Sequence, residues 1–570
     1  MTDYQASPMG EPLVDGAPPQ TPHLRPTRPQ ALLWLLVVAL LVLLVLRDFG
    51  SHPAVADDSS RYIVLAQSLI RGDVYGLISR AGWPLHATYP FGFPLVLAPF
   101  VALFPGKFDV LRVPSLVATI LSATLIFWGW PLLSRRSYWW GLGVTTLFCL
   151  SPLTMVHGRL VLSEAVFTAF LLGSLLLVEW GLPRRPPAWW YAALGTLLTL
   201  MVFTRSAGWP MLAGIVLYLF YRMGRHAFRR LAGITLCMAF CTVLVLSLTS
   251  VRPGDLLPND YRATYTKLLT GEGVNSTGAV SFGFFLRMRV WQRMVQDVPS
   301  TILPGIHSGA VWTVATAHHV RPLLGLLGMV TTALLALGFV RWTAREGISA
   351  FLVVVPPYAL ALLAWDWAGP RFLYPIQGQL AYAFLLGLEA LLAGLGGLLC
   401  RRRTVAWQQR TIGAVVVAMA VGYCIIGLRY PPYRDYTADL EHRASWLRSH
   451  TRPDAIVMSN TPEADYLYSA RSVLEYPDWL SADATADLAK YLVDHDVTVL
   501  VVQHGRVLWE SGDGGSERRA YTTSTEDVML ALAQNLTTSG VLLPVHTGDD
   551  ERFTMFVVAA SDKGLPFGEG

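Results

Sequence analysis

Apolar positions along this chain gather into long runs of roughly 17 to 25 residues, divided by short polar stretches rich in arginine. The runs fall near 31–47, 111–133, 138–156, 161–180, 188–204, 207–221, 231–250, 320–341, 348–365, 371–399 and 411–428. Each is long enough as a helix to cross or nearly cross a hydrocarbon layer of about 30 Å, so the pattern predicts eleven membrane spans. A further run, 91–104, is bounded by Pro90 and Pro105. Counting it as a span would reverse the side of every later arginine cluster, and it is expected to be an interfacial or re-entrant helix.

Arginines punctuate the runs in a fixed phase. Arg25 and Arg28, Arg135 and Arg136, Arg184 and Arg185, Arg222 through Arg230, Arg341 and Arg345, and Arg401 to Arg403 all fall on one side of an eleven-span layout. The positive-inside rule makes that side cytoplasmic. Segments 48–110, 157–160, 251–319 and everything beyond 429 then lie outside. The expected setting is a bacterial plasma membrane, with the N-terminus cytoplasmic and a C-terminal domain extracytoplasmic. Residues 1–30, with five prolines from Pro18 to Pro29, read as a disordered tail.

Composition agrees with a bilayer as second solvent: 53% of the 570 residues are hydrophobic and 15% charged, more apolar surface than one soluble core can hide. The formal charge of +5 sits in those inter-span clusters and not on one polar face, which argues orientation and not nucleic acid. The cysteines lie in or beside apolar runs with neither a disulfide framework nor a metal spacing, so no metal or other cofactor is expected.

From about residue 430 the pattern becomes that of a soluble α/β layer domain. Helices are predicted over 435–450, 482–494 and 527–536, the last with Thr523 and Glu526 as a capping box, and strands over 455–458, 497–502 and 553–560. No phosphate loop or nucleophile elbow occurs in it, so no chemistry is assigned there.

Candidate chemistry lies at the loop ends of the spans. The stretch DDSSRYIVLAQSLIRGDVY carries Asp57 and Asp58 ahead of a helical stripe of Tyr62, Leu65, Ala66, Leu69 and Ile70, an amphipathic helix lying on the bilayer. The two aspartates also fit a plain helix cap. Glu164 in HGRLVLSEAVF stands just inside a span, where an unpaired carboxylate costs up to about 3 kcal/mol, so it requires a cavity or a partner such as Arg159. Arg205 in FTRSAGWP and Arg371 in WDWAGPRFLYP stand at span ends, where snorkelling is the ordinary explanation. Together these groups would surround one cavity suited to an anionic headgroup with an apolar tail.

In order along the chain, DDSSRYIVLAQSLIRGDVY, YPFGFPLVLAPFVALFPG, GRLVLSEAVF, MVFTRSAGW and GPRFLYPIQG resemble the GT-C fold membrane glycosyltransferases. They are most similar to the branch of aminoarabinose transferases and protein O-mannosyltransferases. The resemblance covers residues 31 to about 400. It implies a transferase for a hexose or pentose, with a polyprenyl-phosphate sugar as donor and a lipid, glycan or protein as acceptor, acting in cell-envelope glycosylation. It matches the catalytic aspartate to Asp58, four residues before Tyr62, with Asp57 as neighbour. Glu164 matches a second acidic position, and Arg61 a cation that holds carrier phosphate. Tyr62, His86, Arg159, Arg205 and Arg371 complete the expected substrate contacts. The cations of the large loop have no firm match, with Arg252, Arg262 and Lys267 as candidates. A transporter or flippase is the competing reading, favoured by Glu389 in the middle of a span. No inverted repeat supports it, and the polar groups gather at one boundary of the bilayer.

Overall fold

The computed structural model describes residues 25–47, 49, 57–72, 75–81, 89–134, 136–182, 186–249, 251, 287, 290–303, 321–364, 369–399, 405–429, 434–477, 480, 484–503, 524–548 and 553–559. His86, Arg252, Arg262, Lys267 and the predicted capping box at 523–526 lie outside what it describes, as does the Asp57 side chain.

Each predicted apolar run is mostly helical where described. Among the described residues, seven helical stretches are long and apolar enough to cross a membrane: Arg28–Leu46, Phe108–Trp130, Ser163–Gly181, Gly208–Leu248, Pro322–Glu346, Pro370–Leu395 and Ala406–Leu428. An eighth is the pair Tyr138–Leu150 and Pro152–Arg159, bent by 60°. The bend falls at Ser151, because Pro152 forces the residue before it out of the helical region, to ψ 132°. Shorter apolar helices cover Gly92–Leu103, Ala188–Thr204 and Ala350–Leu363. Many large apolar side chains on the bundle stand exposed, among them Leu32, Leu36, Leu236 and Phe240. Apolar surface on that scale is stable only against lipid. The protein is therefore an integral, multi-pass membrane protein.

Backbone contact holds part of the bundle together. A Cβ on Gly338 would lie 1.7 Å from the Ala383 carbonyl oxygen, and one on Gly387 would lie 1.9 Å from that of Leu334. The helices Arg321–Glu346 and Gln377–Leu399 thus cross through reciprocal glycines, the small-residue packing that replaces a hydrophobic drive inside a membrane. Beyond this crossing Glu389 pairs with Arg136, Arg341 and Arg345, at 3.4, 3.1 and 2.9 Å. Glu389, read as a mid-span carboxylate, lies inside Gln377–Leu399 and is neutralised by these three arginines of neighbouring segments.

The C-terminal unit is a five-stranded sheet in the order β2-β1-β3-β5-β4, with β1 Ile456–Ser459, β2 Ser472–Glu475, β3 Val497–Gln503, β4 Leu542–Thr547 and β5 Phe553–Val558. β2, β1 and β3 run parallel, while β5 and β4 are antiparallel to their neighbours. β3 is buried on both faces: Leu500 and Val502 cluster with Leu488, Leu492 and Leu532, and Val499 and Val501 share a second buried cluster with Leu447 and Val473. The predicted helices appear as Arg434–His450, Thr485–Asp494 and Ser524–Thr538. β2, β4 and the helix Pro462–Ser469 were not expected; β2 is four residues long and β4 carries a proline, so neither shows the alternating signature of a strand.

Candidate active site

Four loop ends meet on the side of the bundle that faces the C-terminal domain. Asp58 lies in the first turn of Asp57–Arg71, a helix whose charged and apolar residues separate cleanly onto opposite faces. One turn on, Tyr62 is buried, edge-on to Tyr89 at 5.1 Å and to Phe93 at 4.9 Å. Glu164 stands in the first turn of Ser163–Gly181, where free backbone amides favour a carboxylate. Arg205 caps the C-terminus of Ala188–Thr204, and Arg371 is the second residue of the 3₁₀ turn Pro370–Ile376.

Two neighbours fix these ends. A Cβ on Gly92 would sit 2.5 Å from the Phe203 carbonyl oxygen, so the glycine of YPFGFP lets Gly92–Leu103 press against the chain just before Arg205. Gly369 takes φ +141°, a conformation reserved for glycine, and donates its N–H to Asp297 at 3.3 Å. Asp297 is itself paired with Arg293 at 2.8 Å, and this buried pair anchors the turn that presents Arg371.

The result is a line of alternating charge. Tyr89 donates to Asp58 Oδ1 at 2.6 Å. Arg371 bonds Asp58 Oδ2 and reaches Glu164 Oε1 at 3.4 Å. Arg205 meets the same Glu164 oxygen at 2.8 Å and donates to Ser163 Oγ at 2.9 Å, which shares a hydrogen bond with the Tyr62 hydroxyl at 2.9 Å. Glu164 is 1% exposed and Arg371 41%, so the carboxylate is sealed in while one guanidinium borders open space. Burial works against an ionised Asp58, but the Arg371 guanidinium and the Tyr89 hydroxyl outweigh it and hold the carboxyl below its ordinary range. Burial and the adjacent Asp58 push the Tyr89 hydroxyl upward, so it stays a donor.

Asp58, Tyr62, Glu164, Arg205 and Arg371 are thus brought together as expected from their motifs. Two expected partners stand elsewhere. Arg159 is buried and donates to the Leu44 carbonyl at 3.1 Å, while Glu164 takes its counter-charges from Arg205 and Arg371. Arg159 ends its own short helix pointing back at Arg28–Leu46, whereas the two distant arginines arrive at the Glu164 helix start. Arg61, one turn on from Asp58 along the same helix, pairs with Glu463 and Glu475 of the C-terminal domain. Tyr89 was missed by sequence reasoning, although it opens the YPFGFP motif.

This polytopic helix bundle with its C-terminal α/β domain has the GT-C fold, shared with solved structures of that fold. In particular, it is similar to ArnT from Cupriavidus metallidurans in the apo state, with a TM-score of 0.51 at 13% identity over 94% of this chain and 99% of that one. The oligosaccharyltransferase of Archaeoglobus fulgidus, in complex with Zn and sulfate, gives a TM-score of 0.52 at 12% identity over 83% and 68%. No family model and no curated protein matches the sequence.

Proposed function

We propose that this protein is a membrane glycosyltransferase that moves a sugar from a polyprenyl-phosphate carrier to a hydroxyl acceptor at the outer face of the membrane. The observation that carries the reading is the Asp58–Arg371–Glu164–Arg205 line, two carboxylates interleaved with two guanidinium groups at the ends of apolar helices. Forked guanidinium donors suit phosphate oxygens, and a carrier tail would lie among the lipid-facing helices. In this reading the acceptor oxygen attacks the anomeric carbon and gives its proton to Asp58. The bond from that carbon to the phosphate oxygen breaks, and the polyprenyl phosphate leaves with the electron pair. Arg371, the more exposed cation, turns from Asp58 toward the departing phosphate, which restores basicity to Asp58 as charge develops. Glu164, sealed from solvent, holds Arg371 and Arg205 in place, and Asp57 is a neighbour without a chemical role.

The topology we propose has eleven crossings, with the C-terminal domain extracytoplasmic. The 41 residues of Gly208–Leu248 would reach about 60 Å as one helix, twice the hydrocarbon thickness. Gly224, at φ +54°, ends Gly208–Met223 and supports two crossings there. Gly92–Leu103 spans only about 18 Å and supports an interfacial or re-entrant placement. The 22-residue helix Val113–Ser134 separates the Asp58 side from the cluster of Arg136, Arg341 and Arg345 by about 33 Å, which supports placing those arginines in the cytoplasm.

The test is sugar transfer in membranes supplied with a labelled polyprenyl-phosphate sugar and a panel of lipid, glycan and peptide acceptors. Transfer by the wild-type chain that disappears in Asp58→Asn supports the reading. Carrier movement across the bilayer without any transfer would replace it with a flippase.

A further inference from the structure

Arg61 and Arg80 form a closed charge network with two glutamates of the C-terminal domain. Arg61 meets Glu463 at 3.3 Å and Glu475 at 3.1 Å. Arg80 meets the same pair at 3.0 and 2.5 Å. Glu463 is buried, at 2% side-chain exposure, so its charge needs both guanidinium groups. Beside this network the backbone joins the two units: Val473 donates to the Ser79 carbonyl at 2.9 Å, and Ala81 donates to the Val473 carbonyl at 3.3 Å. Val473 lies on β2, an edge of the sheet, so residues 79–81 complete that edge from the first loop of the membrane unit.

The network continues to the chemistry. The Arg61 guanidinium stands 5.9 Å from the centre of the Tyr89 ring, and the Tyr89 hydroxyl donates to Asp58. The Tyr89 carbonyl accepts from Tyr75 at 2.9 Å, and Tyr75 belongs to the same 75–81 segment that completes β2. Side chain and backbone therefore both reach Tyr89 from the docked interface. We infer that Glu463 and Glu475 of the C-terminal domain are positioning residues for the site, holding Arg61 so that Tyr89 keeps its hydroxyl on the Asp58 carboxylate. The inference rests on the proposed transferase reading for its meaning in catalysis, but the coupling itself is a property of the folded chain.

The coupling is read without substrate. A carbodiimide attacks a protonated carboxyl, so the pH dependence of adduct formation on Asp58 in the purified full chain in lipid nanodiscs reports its titration, with tandem mass spectrometry locating the adduct. Arg371, Arg205, Tyr62 and Glu164 also face or influence Asp58 and are unchanged in every variant. Glu463→Gln/Glu475→Gln should raise the midpoint by about one to two pH units, the effect of losing one charge-assisted hydrogen bond. Tyr89→Phe should do the same, and the triple variant should show no further shift, because one path carries both effects. Arg80→Gln loosens the same interface without touching Tyr89 and should leave the midpoint in place. Arg61→Gln breaks the path from the membrane side and serves if the glutamate variant does not fold.

An unmoved midpoint in the glutamate and Arg61 variants overturns the inference. So does an equal shift in Arg80→Gln, which would mean that loss of docking alone is responsible. Sugar transfer from a polyprenyl-phosphate donor, measured alongside, fails in the wild-type chain if the transferase reading is wrong, whereas the titration does not depend on it.

Discussion

Replacing Asp58 by asparagine tests the proposed proton acceptance apart from everything else this residue does. The amide keeps the size and one carbonyl-type oxygen, so Tyr89, now 2.6 Å from Oδ1, still has an acceptor. Arg371 loses its bond to Oδ2 but keeps Glu164 at 3.4 Å, so the turn that carries it has a remaining counter-charge. One negative charge is lost among two carboxylates and two guanidinium groups, which leaves the site more attractive to an anionic carrier. The donor KM should therefore stay level or fall. On the proposed mechanism turnover should lose its general base, worth roughly 10²–10⁴ in rate, or about 3–5 kcal/mol of barrier. The assay is initial rate against donor concentration in membranes holding equal amounts of inserted protein. Asp57→Asn, one residue away in the same turn, should cost far less. Wild-type turnover in Asp58→Asn would refute the assignment, and loss confined to Asp57→Asn would move the base by one position.

Other expectations follow from the same geometry. Arg371→Lys cannot bond Asp58 and reach Glu164 with one planar fork, so donor use should drop on the order of tenfold or more while acceptor KM changes little. Asp58 is held below its ordinary 3.8, so it is ionised at neutral pH and its contributions to stability and turnover are lost only as pH falls through that lowered value. Arg371→Met removes the largest group holding it down, and the acid limb of the pH–rate profile should move up. A cytoplasm-only reporter fused after Gly570 should be silent, and strong activity would mean an even number of crossings, with residues 91–104 the first to re-examine. Gly387→Val sets side-chain atoms against the Leu334 carbonyl and should lower the melting temperature by several degrees or prevent insertion, whereas Gly394→Ala, with open space around it, should do neither.

What the sequence made legible was local. Apolar length and arginine phase located each helix of the bundle, and the order of short motifs pointed to Asp58, Glu164, Arg205 and Arg371 before any geometry was known. Partner choice was not legible in the same way. Glu164 lies five residues from Arg159, and nearness in sequence made that pair attractive, but Arg159 donates to the Leu44 carbonyl while Glu164 meets Arg205 and Arg371. Arg61 is 402 residues from Glu463, and no periodicity reports a contact over that span. Glu389 looked like an ion-pathway carboxylate because its neighbours in sequence are apolar; its three arginines come from other parts of the chain.

The completion of β2 by residues 79–81 also sets an order of events during synthesis. Arg80 is made 395 residues before Glu475, a gap of roughly 20 to 80 seconds at typical ribosomal rates. Through that interval the first loop has its helix but neither its backbone partner nor the glutamates that neutralise Arg61 and Arg80. The contacts that this segment makes with β2 wait until β2 has been translated. A chain interrupted before Glu475 would leave the segment that carries Asp58 without its backbone partner on β2 and without a carboxylate that both Arg61 and Arg80 meet.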